Sequence, residues 1–181
     1  MKNDCHSFTP VSIGLHWLVA LAVVLAMLSG VWMLTLEFSP LKLRLFVWHD
    51  WLGVLILLLT VLRLFWRLRH RVPKVLARSA LERAVARAAH LTLYALLILV
   101  PLQGWLYRSA SGIQIVFLEW IELPLLMANS PSLAPLLRQV PAWMGYALLG
   151  LIALHVGAAL KHHLFDRDAT LTWMIPWLKG D

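Results

Sequence analysis

The chain has 181 residues, 61% of them hydrophobic and only 14% charged, with ten tryptophans and a formal net charge of +7. A soluble domain carries about 25% charged residues and could not hide this much apolar surface in one globule, so a water-facing domain is excluded. In a membrane chain the basic excess is first a topology signal, which displaces nucleic acid as a partner, and the single cysteine, Cys5, excludes an intrachain disulfide and Cys-based metal motifs.

The expected fold is all-α, an integral membrane four-helix bundle in one domain over residues 1–181, with spans near 11–36, 43–68, 88–107 and 141–165. Val11 to Leu36 carries no charged residue. Pro10 and Ser12 fit its start, and Glu37 with Pro40 its end. The run is too long for a signal-peptide core and lacks a small-residue cleavage site, so it is expected to be the first span. In the second span Trp51 to Leu62 is uncharged, Trp48 and Trp51 suit an interfacial belt, and His49 and Asp50 sit near the start.

Between Arg63 and Arg87 eight Lys or Arg stand against one acid, Glu82, and Pro73 is expected to break the helix. This cluster reads as the cytoplasmic side, and some of its arginines could pair with anionic cofactor groups or lipids. The third span holds His90, and Pro101 is expected to kink it. Arg108 to Arg138 is a longer connection whose apolar middle is too short to span, so it should lie as an interfacial helix or a cap over the bundle. The fourth span, free of charge from Gln139 to Leu160, carries His155 before Gly157, Ala158 and Ala159. The tail after it is expected along the membrane surface. Four spans with a basic second loop place both termini in the cytoplasm.

This topology sorts the histidines by depth. His16, His90 and His155 fall toward the cytoplasmic side and His49 toward the outer side. His162 and His163 lie at the inner surface, the latter pair within reach of haem propionates, and His6 and His70 lie outside. An intramembrane histidine is a functional-site candidate, because its ring nitrogens find no water in lipid. Haem suits paired histidines on different helices, since two neutral imidazoles ligate iron from opposite faces and the porphyrin is at home between helices. Zinc wants four ligands, and the spans lack cysteine and nearly all carboxylate. A proton relay wants carboxylates too, and only Asp50 qualifies. The bland alternative is a hydrogen-bonded helix contact. It explains His16 and His155 poorly, at similar depth, and stays open for His49 and for His90.

SIGLHWLVAL in the first span, WHDWLGVLILLLTVLRLFWR in the second, ARAAHLTLYALLILVPLQGWL in the third and LHVGAALKHHLFDRDATLTWM in the fourth run through nearly the whole chain. In these stretches the chain resembles the bacterial cytochrome b561 family of four-helix di-haem membrane proteins, related to the cytochrome b subunits of nickel–iron hydrogenase and formate dehydrogenase. The resemblance implies haem b, a site in the bacterial cytoplasmic membrane, and electron exchange with quinone or quinol, with superoxide oxidation at the outer face in some members. It makes His16 and His155 the axial pair of the inner haem and His49 a ligand of the outer one. His90 matches a third-span histidine near the cofactor that is not an iron ligand. The family's second outer ligand falls fourteen residues before His155, where this chain has Pro141, which cannot ligate iron. The outer haem is then absent, held by His49 alone, or shared with Met144, and Gly53 leaves room for a porphyrin edge. One haem is the expectation.

Function thus reads as a membrane b-type cytochrome trading electrons with the quinone pool. The other readings are an oxidoreductase acting on superoxide or quinol, a membrane-anchor relay subunit for a redox partner protein, and a haem-free scaffold. Lipid surrounds the chain in each, and a homodimer is compatible with all.

Overall fold

The computed structural model describes residues 8–70 and 79–175. Cys5, His6, Pro73 and the basic residues Arg71, Lys74 and Arg78 lie outside the described residues. Helix α1 covers Pro10–Thr35, α2 Pro40–Arg69, α3 Ala80–Ala110 and α4 Ala134–Lys161, all long and apolar enough to cross a membrane. The protein is an all-α membrane bundle, and its outer surface confirms the solvent it was built for. Leu28 is 62% exposed and Leu154 71%, and large apolar side chains cover every helix in this way. In water such a surface would aggregate, whereas in hydrocarbon it is matched.

Local chemistry sets the helix starts. The Thr9 hydroxyl accepts from the Ser12 N–H at 3.2 Å and Ser39 accepts from Lys42 at 3.3 Å, each followed by proline at the first helical position. Ser79 and Glu82 form a reciprocal capping box, which starts α3 eight residues before the apolar run at Ala88. Helix α4 likewise begins at Ala134, so Pro141 lies inside it instead of opening it. Pro135 in the first turn is pre-set for the helix. Pro141 leaves the Leu137 carbonyl without its intrahelical donor.

The connection from α3 to α4 is no helix. Strands β1 (Val116–Phe117) and β2 (Ile121–Glu122) pair in a small antiparallel hairpin. Its turn holds Leu118 at φ +53° and Glu119 at φ +67°, and the Trp120 N–H donates to the Phe117 carbonyl at 3.2 Å. Trp51 donates its indole N–H to the Val116 carbonyl at 2.8 Å, and Trp105 donates to Pro124 at 3.1 Å. The hairpin caps the bundle through these two anchors.

Helix α1 packs on α2, α2 on α3 and α3 on α4, while α1 and α4 do not pack closely against each other. The shared core is Val19, Ala22 and Val23 from α1 with Ile56, Leu97 and Leu148 from the other three. This apolar layer divides the bundle into two polar levels, one around His16 and His155, the other around His49.

Candidate haem-binding site

At the first level His16, His90 and His155 converge. The His16 and His155 rings are 6.4 Å apart between centroids and those of His90 and His155 5.6 Å. All three are half-buried, and His16 Nδ1 is fully buried without a hydrogen-bond partner. An orphaned buried nitrogen costs about 1–3 kcal/mol unless a ligand satisfies it. A metal bound at about 2 Å by each of two opposed imidazoles would set their centroids roughly 6 Å apart, close to the His16–His155 spacing. His90 and His155 come from helices already packed together. His16 and His155 instead face across the loosely packed α1–α4 seam. The donor set and the orphaned nitrogen fit a group that bridges the two helices, such as haem.

The second level is built differently. The Ser29 hydroxyl donates to the Ala26 carbonyl at 2.8 Å, so its oxygen is left to accept from His49 Nδ1–H at 3.0 Å. That fixes the His49 tautomer, with the lone pair on Nε2. Gly30 lies under the same ring, 3.5 Å from His49 Cε1 to an added Cβ. The space expected beside Gly53 is taken by Pro101, whose Cβ would sit 3.6 Å from a Cβ at Gly53. Asp50 pairs with Arg108 at 2.9 Å, and Arg108 Nε is buried without a partner. Pro141 and Met144 are half-buried on α4. The level therefore offers one oriented imidazole and a buried ion pair.

Sequence reading did not find Ser29 or the Asp50–Arg108 pairing, because each partnership joins different helices. It placed His162 and His163 at the inner surface, near haem propionates. The structure gives His162 a carboxylate: Nδ1 lies 2.6 Å from Asp168 Oδ2 and 3.3 Å from Asp166, within one π-helical turn, His162–Asp166, and the residues after it. Lys161 also reaches Asp166 at 2.8 Å. Burial works against the charge on Asp168, yet hydrogen bonds from Thr170 and His162 hold its carboxyl below the usual range. The group is a clasp for the tail, which turns back so that Trp17 donates to the Met174 carbonyl at 2.9 Å and Phe8 meets Trp173 edge-on.

The family model for prokaryotic cytochrome b561 matches residues 7–177. The protein named cytochrome b561 homolog 2 of Escherichia coli (strain K12) is 32% identical, over 96% of this chain and 93% of its own length. Cytochrome b561 homolog 1 of the same strain is 30% identical over 93% of this chain and 97% of its own length. A Yersinia pestis protein named probable superoxide oxidase CybB is 28% identical over 96% and 98%.

Proposed function

We propose, for a chain that belongs to the prokaryotic cytochrome b561 family and so to the multi-pass bacterial membrane b-type cytochromes, that His16 and His155 are the axial ligands of one haem b and that the protein exchanges electrons with the quinone pool. Haem supplies a one-electron carrier that cycles between ferric and ferrous iron. With both imidazoles bound to it, a haem would have no coordination position left for a small molecule, which favours electron exchange. The surrounding apolar side chains exclude water and tune the potential. His90 stands beside His155 and shapes the pocket without ligating.

The observation that carries the reading is the opposed His16–His155 pair across the α1–α4 seam, with its orphaned nitrogen. The quinone partner and the cytoplasmic-membrane location come with the family likeness, and the basic second loop supports cytoplasmic termini. The relative named as a probable superoxide oxidase supports an outer electron donor as a second reading. That reading needs a carrier at the His49 level, where Pro141 supplies no ligand.

The test is the haem-to-protein ratio and the reduced-minus-oxidised spectrum of the purified protein and of three variants. About one haem per chain is expected, lost in His16→Ala and His155→Ala and kept in His90→Ala. A wild-type protein without haem, or one that keeps its spectrum in His155→Ala, refutes the reading.

A further inference from the structure

Among the described residues, the inner mouth of the bundle holds positive charge without a carboxylate to pair it. Arg63 Cζ lies 5.4 Å and Arg67 Cζ 5.8 Å from the centroid of the Tyr94 ring. Both side chains are half-buried, and among the described residues no carboxylate pairs with either. Snorkelling to the interface is the ordinary fate of such residues. Arg69, nearer the helix end, does so: it is exposed and lies over Phe65 at 4.5 Å. Arg63 and Arg67 instead gather at one aromatic ring. The Tyr94 ring offers its quadrupole but no negative charge, so two like charges converge in a medium that penalises them.

The cleft they form is lined by Phe8, Ser12, Arg63, Arg67, Tyr94 and Met174. Ser12 precedes His16 by one helical turn on α1, and Tyr94 follows His90 by one turn on α3. Arg63 is close enough for its charge to act on all three imidazoles. The cleft thus lies beside the histidine cluster and opens toward the inner end of the bundle. Two adjacent guanidinium forks match a pair of anionic oxygens, each able to hold a carboxylate in two parallel hydrogen bonds.

We infer that Arg63 and Arg67, stacked on Tyr94, bind the two carboxylates of the haem held by His16 and His155. The inference rests on that ligation. It fixes the cofactor's orientation, with its acidic edge toward the inner surface and its apolar edge toward Val19 and the core. A lipid phosphate presents the same chemistry, and the experiment separates the two sources.

Apoprotein from haem-deficient cells is reconstituted with protohaem or with its dimethyl ester, whose acids are masked. Wild type is expected to prefer protohaem by roughly tenfold or more, the value of a lost charge-assisted contact. Arg63→Gln/Arg67→Gln is expected to lose that preference. The midpoint potential of the bound haem is expected to fall in Arg63→Gln, because the oxidised iron is no longer opposed by the nearby cation, and to stay near wild type in Arg63→Lys. Equal binding of haem and ester by wild type overturns the inference even if the double variant fails to fold. So does an unchanged potential in Arg63→Gln, and anionic lipid lost from that variant then assigns the site to lipid. Wild type that binds neither form overturns the His16–His155 ligation itself.

Discussion

Replacing Pro141 with histidine is expected to create a second haem site. On α1 His49 meets Ser29, thirteen residues beyond His16, which is about 20 Å of helix rise. On α4 Pro141 stands fourteen residues before His155, about 21 Å, so the two positions share a level within about one residue. Ser29 already holds the His49 tautomer with Nε2 free, as a ligating histidine requires. The substitution also restores a backbone N–H for the Leu137 carbonyl and removes a penalty of about 3 kcal/mol for an interior proline, so the variant should be at least as stable as wild type. The assay is pyridine haemochrome against protein concentration, read with a redox titration. The ratio should rise from about one to about two, with a second potential in the titration, and Pro141→His/His49→Ala should return it to about one. A ratio that stays unchanged in Pro141→His would refute the level assignment. A ratio near two in wild type, reduced by His49→Ala, would refute the claim that Pro141 closes the outer site.

Arg108→Ala should lower stability by about 3 kcal/mol, the low end for a broken buried pair because Arg108 and Asp50 keep 19% and 16% exposure. Asp50→Asn/Arg108→Gln should recover part of it in thermal unfolding, and equal losses in both variants would count against the pair. Leu118→Asn/Glu119→Gly should relieve about 1 kcal/mol of left-handed strain or more in the hairpin turn. Slower amide exchange over residues 116–122 is the readout, and faster exchange would contradict it. The tail clasp should depend on pH through Asp168, whose carboxyl is held below the ordinary carboxylate range by hydrogen bonds from Thr170 and His162. Its contribution is fully present above the unfolded-state value and disappears as pH falls through the lower folded-state value. Tryptophan fluorescence reporting the Trp17 and Trp173 contacts should therefore change as pH falls below about 4. Fluorescence that stays flat down to about pH 2 would argue against the clasp.

The four helices were legible because a helix that spans lipid needs a long, nearly uncharged run. Their ends were less so. Apolar runs mark where lipid lies, whereas the capping box at Ser79 and Glu82 carries α3 beyond it. The hairpin between α3 and α4 was hidden because its residues read as apolar without a period, and two residues there adopt left-handed backbone against their own preference. His16, His49, His90 and His155 were visible as residue types misplaced in hydrocarbon. Their partners were not, since Ser29 and Tyr94 are ordinary residues whose importance comes from what another helix brings beside them.

The apolar layer of Val19, Ala22, Val23, Ile56, Leu97 and Leu148 has an electrical meaning. None of these side chains can take up or release a proton. Thr60, buried nearby with its hydroxyl unpartnered, is a single group and makes no wire. The layer is a proton insulator set between the two polar levels. An electron that crossed it would move unaccompanied through the membrane voltage, at about 2.3 kcal/mol per 100 mV for a full traverse. Such a crossing would be electrogenic, because no proton could follow the electron through these side chains.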